Sequence, residues 1–508
     1  MKKTFFLIIG VLLASCSADV PAEFVQTDTK PSLEPDYTDL TIPANIAPLN
    51  FCINGSGEEF VTRITSGGKQ AVFKGRTVGI PRKKWRELTA AAGTMEIEVF
   101  TREGKDWKRY RPFSMEIAED IDPYISYRLI PPSYISFERL SLNQRNLTSF
   151  NEKLIYSNNL VQKDDDQGQC INCHNYRNYR TDNMQFHARQ YKAGTVLVYN
   201  GELKKINLKT DSTLSAGVYP AWHPTHDYIA YSNNVTKQGF YVSGNDRIEG
   251  LDLFSDLILY NVPENEVSII ENDSNRFECF PTWSPDGRTL YYISAEYEAE
   301  YSDTREEYLM IHHDSLQYDL WSKDFDPDTR TWKPAVRLID AAAMNRSISI
   351  PRVSPDGRYM MVVIGQHGVL PLYNSDSDLY LINLSTMEMR DIDEINSDKA
   401  DSYHSWSSNG KWVIFSSKRQ DGDFTRLYIT HFNEDATFSK PFVLPQRNPG
   451  FNTEFMKAYN VPEFMIEPVS IRPRQFARLL DRHPAVPAKY VSRKQTSEQT
   501  DTVPCAID

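Results

Sequence analysis

Apolar and polar residues alternate in short runs from Thr38 to about Ile117, as in Phe60-Val61-Thr62-Arg63-Ile64 and Met95-Glu96-Ile97-Glu98-Val99-Phe100, with turn signals such as Asn54-Gly55 and Ser66-Gly67-Gly68 between them. A period of two puts every second side chain on one face, so these runs predict half-buried strands and a small β-sandwich-like domain over 38–117. Pro81 to Ala92 breaks the alternation, and Pro at its start with Gly93 after its end predicts one helix. Periodicity then fades over 118–194, where Tyr, Asn and Arg abound and Pro131-Pro132 interrupts, and this stretch reads as a short, irregular connecting module.

From about Thr195 the alternation returns and repeats. Tyr219-Pro220-Ala221-Trp222-His223-Pro224, Phe280-Pro281-Thr282-Trp283-Ser284-Pro285-Asp286-Gly287, Ile350-Pro351-Arg352-Val353-Ser354-Pro355-Asp356-Gly357 and Tyr403-His404-Ser405-Trp406-Ser407-Ser408-Asn409-Gly410 align, each followed by an apolar strand. Trp222, Trp283, Val353 and Trp406 stand 61, 70 and 53 residues apart, room for four strands per repeat. A second recurring strand keeps the same phase: Ser255-Asp256-Leu257, Tyr318-Asp319-Leu320, Ser377-Asp378-Leu379 and Thr425-Arg426-Leu427. Two signals with one period predict a mainly β chain whose residues 195–471 form a β-propeller of five or six blades, with Thr195 to Asp211 supplying a first blade and Phe442 to Ile471 closing the ring. Ser-Pro-Asp-Gly makes the tight turn of each blade, glycine taking the positive φ. The recurring acids Asp256, Asp319 and Asp378 read as acceptors of a structural hydrogen bond.

The densest chemistry lies in the irregular module. Cys170-Ile171-Asn172-Cys173-His174 is a C-x-x-C-H, the spacing at which two thiols add to the vinyl groups of a c-type haem and the following histidine ligates iron. Cys170 and Cys173 are the expected thioether anchors and His174 the proximal ligand. Met184 and His187 stand three apart, a spacing that one helical turn would bring to one face, so His187 is the candidate distal ligand and Met184 its rival. Two other readings use the same side chains: a structural zinc held by Cys170, Cys173, His187 and His174, and a disulfide between the two cysteines. His223 and His226 read as turn histidines of a degenerate repeat rather than metal ligands, and His312-His313 as solvated.

Lys2 and Lys3 followed by the apolar run Phe5 to Leu13 form a signal peptide over 1–15, and Leu13-Ala14-Ser15-Cys16 resembles a bacterial lipobox. Cys16 is then the lipidated first mature residue and a membrane anchor, and the Ser17 that follows it points, by resemblance to lipoprotein sorting signals, to the outer membrane. Residues 16–37 read as a flexible tether and 472–508 as a polar tail. A net charge of −12 without a basic stripe argues against nucleic acid. Cysteine is sparse for an exported chain, 6 in 508 residues, and Cys52, Cys279 and Cys505 are an odd, scattered remainder that builds no disulfide framework. No Ser-His-Asp order, phosphate loop or H-E-x-x-H supports a hydrolase or kinase.

The repeats resemble those of TolB-type β-propellers, and the order lipobox, small β domain, C-x-x-C-H with a following Met-x-x-His, then propeller resembles a group of TolB-like lipoproteins of Bacteroidetes-type bacteria. That resemblance implies a lipid-anchored, periplasm-facing propeller carrying a covalent haem on Cys170 and Cys173, for envelope electron transfer or haem-dependent sensing, with a protein partner at the propeller face. The alternative is an envelope interaction scaffold whose Cys/His cluster is a zinc or disulfide staple.

Overall fold

The computed structural model describes residues 20–91, 93–132, 139–161, 168–242, 248–297, 304–370 and 374–492. The signal peptide, Cys16 and Cys505 lie outside the described residues. No helix among the described residues is long and apolar enough to cross a membrane. The chain is mainly β and divides into two compact units, one of residues up to Leu40 with Pro48–Ala118 and Gln446–Gly450, the other of Thr41–Ala47, Glu119–Pro445 and the chain from Phe451.

In the first unit the alternating runs form strands as expected. Gly93–Glu103 is central, paired with Glu59–Ser66, Asp106–Arg109 and Phe113–Ala118, and a second sheet joins Ser32–Glu34, Phe51–Asn54 and Thr77–Val78. The helix spans Arg82–Thr89 and buries Trp85 and Leu88. The stretch read as a tether is ordered from its middle onward: Val25–Gln26 pairs in parallel with Asp106–Arg109, Ser32–Glu34 pairs with Phe51–Asn54, and Leu33 and Tyr37 are buried. Strands of two or three residues carry too few positions to show a period.

The second unit holds six sheets of four or five strands. The first is Gln169–Arg177, Arg180–Gln190, Gly194–Tyr199 and Glu202–Asn207; the second Val218–Trp222, Tyr228–Phe240, Ile248–Asn261 and Glu266–Glu271. The third begins Arg276–Trp283 and Thr289–Glu296, the fourth Ser347–Val353 and Tyr359–Gly365, and the fifth Asp401–Trp406 and Trp412–Ser417. The sixth takes its first strand, Ala458–Met465, from late in the chain and the others, Tyr124–Ile130, Ser141–Asn146 and Glu152–Ser157, from before the first sheet. Apolar clusters join neighbours in turn: Ile155 with Ile171 and Phe186 between sixth and first, Leu197 with Trp222 between first and second, Leu257 with Trp283 between second and third. One larger cluster runs from Phe277 through Ile348 and Phe415 to Val461, third sheet to sixth. Sheets packed face to face in sequence are the arrangement of a β-propeller.

Two boundaries drawn from the sequence change. The module 118–194 holds strands of the sixth and first sheets, so the packed four- and five-stranded sheets include residues from Tyr124 onward. The region after 472 begins with a helix, Pro473–Arg482, whose Phe476 and Leu480 are buried in the cluster between sixth and first sheets. Val486–Pro487 and Lys489–Tyr490 then add parallel edge strands to the first and second sheets. Residues 493–508 lie outside the described residues.

The Ser-Pro-Asp-Gly turns close as their composition requires. Ser284 Oγ donates to Asp286 at 2.5 Å and accepts from the Thr289 amide at 3.0 Å, while Asp286 also accepts from the Arg288 amide. Ser354-Asp356 and Ser407-Asn409 repeat the pattern, with Gly287, Gly357 and Gly410 at φ +72°, +73° and +67°. Of the recurring acids, Asp319 does cap a loop, accepting from the amides of Ala341 and Ala342 at 2.8 and 3.0 Å. The degenerate turn of the second sheet uses His223 as a substitute: Nδ1 accepts from the amides of Thr225 and His226, and Nε2 donates to the Gly287 carbonyl at 2.9 Å. That contact leaves no room for a side chain on Gly287, where a Cβ would stand 2.2 Å from the His223 ring, against 3.5 Å from Pro285 at Gly357. Gly357→Ala therefore costs about 1 kcal/mol, for the left-handed backbone alone, and Gly287→Ala roughly 3 kcal/mol, for backbone plus overlap; urea denaturation of the two variants measures the difference.

Candidate functional site

The first strand of every sheet in the second unit carries one irregularity at the same place. Two residues on that strand oppose a single residue on its neighbour, the pattern of a β-bulge, at Cys173-His174, Tyr219-Pro220, Phe280-Pro281, Ile350-Pro351, Tyr403-His404 and Val461-Pro462. The first residue of each pair is left-handed, with φ of +56°, +48°, +50°, +48°, +42° and +51°. These twelve residues lie where the six strands converge, and most of them line one narrow cavity of about 40 Å³. The second half of the C-x-x-C-H is thus the first sheet's copy of the repeat, Cys173 in the aromatic position and His174 in the proline position.

His404 shows what a histidine does there. Its Nε2 donates to the Met361 carbonyl of the preceding sheet at 2.9 Å. His174 is turned in the same way toward the carbonyls of Ser126 and Val461 of its own preceding sheet, but neither ring nitrogen reaches hydrogen-bonding geometry. Burial, with the Arg128 and Arg352 guanidiniums behind it, pushes the His174 pKa down to about 3. Burial also raises the Cys173 thiol and so disfavours the thiolate; the Cys173 carbonyl accepts from the Gln185 amide at 2.8 Å.

The remaining predicted ligands are not brought to this cavity. Met184 and His187 lie on a strand, not a helical turn, and a separation of three on a strand means opposite faces. Met184 is wholly buried in the apolar cluster between sixth and first sheets, against which Cys170 also packs. His187 is buried on the other face, its Nδ1 3.1 Å from Thr195 Oγ1, and its pKa is pushed down to about 3. Cys170 and Cys173 are both free thiols.

As packed, these residues do not fit a haem. The space beside Cys173 and His174 admits about one or two waters rather than a macrocycle, and neither proposed distal ligand faces His174. Nor do they converge on zinc: among the described residues the grouping of three His, Cys, Asp or Glu donors within 4.8 Å of one another lies elsewhere, on Glu249, His313 and His367.

A larger opening continues from the axis past the bulges. It has a volume of about 380 Å³ and is lined by Asn175, Asn178 and Tyr179 of the first sheet, Trp222 and Thr225 of the second, Trp283, Arg352, Trp406 and Glu463. Two of the three indoles are held by their neighbours: Trp283 Nε1 donates to the Ala221 carbonyl and Trp406 Nε1 to the Arg352 carbonyl, each at 3.1 Å. Glu463 pairs with Arg352 at 2.7 Å and accepts from Ser405 at 3.4 Å. Asn178 and Tyr179 take left-handed φ of +47° and +64° at the tip of the first hairpin, and the Tyr179 hydroxyl reaches the Ser407 carbonyl at 3.5 Å. Arg352 and Glu463 both occupy the variable position after the bulge, a signal present in the aligned repeats but not read from them.

The bulge histidine gives a pH test. Burial pushes the His404 pKa down to about 3, so the folded chain keeps it neutral while the unfolded chain protonates it near 6.5. Its contribution is complete above about pH 6.5 and is lost as pH falls toward the folded value. Buried acids such as Glu278, pushed up to about 9, act in the opposite sense on the whole protein, so the readout is a difference. The stability advantage of the wild type over His404→Gln shrinks by roughly 1.4 kcal/mol per pH unit between pH 6 and 4.5 in denaturant titrations.

No model of a known protein family matches the sequence, and no curated protein matches it either. Among solved structures it is similar to an apocarotenoid oxygenase mutant of Synechocystis, at 12% identity over 86% of this chain and 97% of that one with a TM-score of 0.35. It is also similar to a periplasmic gluconolactonase of Pseudomonas aeruginosa, at 11% identity over 63% and 96% with a TM-score of 0.29, and to a DUF4784 family protein of Bacteroides caccae, at 8% over 73% and 96% with a TM-score of 0.29. Likenesses this distant carry no argument about activity.

Proposed function

We propose that this protein is a lipid-anchored interaction scaffold of the cell envelope, held through Cys16 at the outer membrane and facing the periplasm. Its second unit is a six-bladed β-propeller, and the axial opening is the docking site for a polar segment of an envelope partner. The observation that carries this reading is the opening itself. Its volume of about 380 Å³ suits a few side chains or a chain end, its indole walls are rigid, and its floor offers a carboxylate, a guanidinium and an amide at Glu463, Arg352 and Asn175. A fixed apolar wall with a few convergent polar groups gives orientation and specificity. The blade count rests on six four- to five-stranded sheets that share one bulge position, and Cys173-His174 is then part of the ring.

A photo-crosslinking residue placed at exposed Thr225 on the rim is expected to trap a discrete partner in envelopes of the native host. The same probe at exposed Val336, away from the opening, traps none. Arg352→Gln/Glu463→Gln removes both charges together, leaving neither buried alone, and lowers the yield at Thr225 at least roughly tenfold. Equal yields at the two positions, or no change in the double variant, overturn the reading. The competing electron-carrier function, with haem on Cys170 and Cys173, is decided on the same protein: a pyridine haemochrome signal lost in Cys170→Ala/Cys173→Ala would replace the scaffold with a cytochrome, and its absence is expected.

A further inference from the structure

Three sheets of the second unit send long connections from the end of the second strand to the start of the third. In the second sheet this hairpin carries Glu249 at the start of Ile248–Asn261; in the third the insertion holds the helix Arg305–Ile311 and then His313; in the fourth the loop after Tyr359–Gly365 carries His367. From three separate connections, one carboxylate oxygen and two imidazole nitrogens come within 4.8 Å of one another. His367 Nε2 lies 3.3 Å from Glu249 Oε2, close to the roughly 3.4 Å edge of a tetrahedron with metal–ligand bonds of about 2.1 Å.

The surroundings are those of a ligand set. His313 Nδ1 sits 3.2 Å from the Met310 carbonyl, which fixes the tautomer and leaves Nε2 for an ion. The Tyr241 hydroxyl lies 3.0 Å from both Glu249 Oε2 and His313 Nε2, and its one proton is donated to Glu249. Glu249 itself is buried, and its partners there are the His367 imidazole and the Tyr241 hydroxyl. Glu249 and His313 also line a cavity of about 160 Å³ with Phe240, Leu251 and Met310, which gives a water or a small oxygen ligand access to a fourth position.

We propose that Glu249, His313 and His367 bind a divalent transition-metal ion, with zinc the best match to two imidazoles and one carboxylate. The ion ties together connections of three successive sheets and presents an open coordination position to the adjoining cavity. This site lies at the opposite end of the strands from the Ser-Pro-Asp-Gly turns, so it stands whether or not the axial opening docks a partner.

The test is a zinc titration of the purified full-length protein against a chromophoric chelator, in a Cys170→Ala/Cys173→Ala background that removes the competing thiols. One equivalent of zinc bound in that background is expected, and His313→Ala/His367→Ala weakens it roughly hundredfold or more. His312→Ala, one residue away, leaves the affinity unchanged, and cobalt(II) loaded into the site gives visible d–d bands without a thiolate charge-transfer band. Circular dichroism confirms that each variant is folded. No zinc bound in the Cys170→Ala/Cys173→Ala background, retention of affinity in the double-histidine variant, or an equal loss in His312→Ala overturns the proposal.

Discussion

The left-handed bulge on the innermost strands is the constraint on which the second unit depends. Positive φ is costly for any side chain and most so for the β-branched Ile350 and Val461, of order 1–3 kcal/mol each. It persists at six places because the bulge turns its side chain toward the axis, an aromatic ring at three of them, and there the Tyr219 and Phe280 rings meet tilted with centroids 4.1 Å apart. The extra residue of a bulge is left out of the ladder, and proline, having no N–H, orphans no donor there. Four of the six sheets use proline; the two histidines stand where a ring of similar breadth must fill the same gap, His404 adding a hydrogen bond to Met361.

The second constraint is closure. Every sheet in the unit has two apolar faces, so a linear stack would leave one face wet at each end. The sixth sheet pairs Ala458–Met465 with Tyr124–Ile130, segments more than 300 residues apart, and shares apolar clusters with the fifth sheet on one side and the first on the other. Loop-closure entropy grows only with the logarithm of that separation, and the apolar cluster shared by Ile155, Ile171, Phe186 and Phe476 offsets it. The helix Pro473–Arg482 and the two short parallel strands after it extend the same fastening over the first and second sheets.

The sequence showed the second to fifth sheets because the tight turns of the third to fifth need glycine at one position and the left-handed bulge residue of all four is followed by proline or histidine and then, in most, by tryptophan. The same logic hid the first and sixth. Cys173-His174-Asn175-Tyr176 fits the repeat only if cysteine stands for an aromatic and histidine for proline, and Tyr403-His404 already carried the second exchange in plain view. Val461-Pro462 fits it too, but no Ser-Pro-Asp-Gly follows, because that strand's partner comes from Tyr124–Ile130 and needs no tight turn. Met184 and His187 were misplaced by assuming a helical period where the residues alternate across a strand. The Glu249, His313 and His367 cluster was invisible for a different reason: the three residues lie in or beside connections outside the repeat, and only the packing of neighbouring sheets brings them together.

The two ends of the innermost strands therefore differ in kind. At one end, turns of fixed length nest on each other, Gly357 on Pro285 and Gly410 on Pro355 with a would-be Cβ at 3.5 Å in both cases, and they rim a rigid opening. At the other, connections vary from the long hairpin of the second sheet to the helix-bearing insertion of the third. Nested turns cannot change length without lifting their neighbours, so variation accumulates where connections are free, which is also where chemistry is most easily added to a scaffold. A fold that fixes one mouth and frees the other separates holding a shape from acquiring a site. The C-x-x-C-H belongs to neither end: it runs along the innermost strand of the first sheet to the bulge, where the backbone already dictates what its second cysteine and histidine must do.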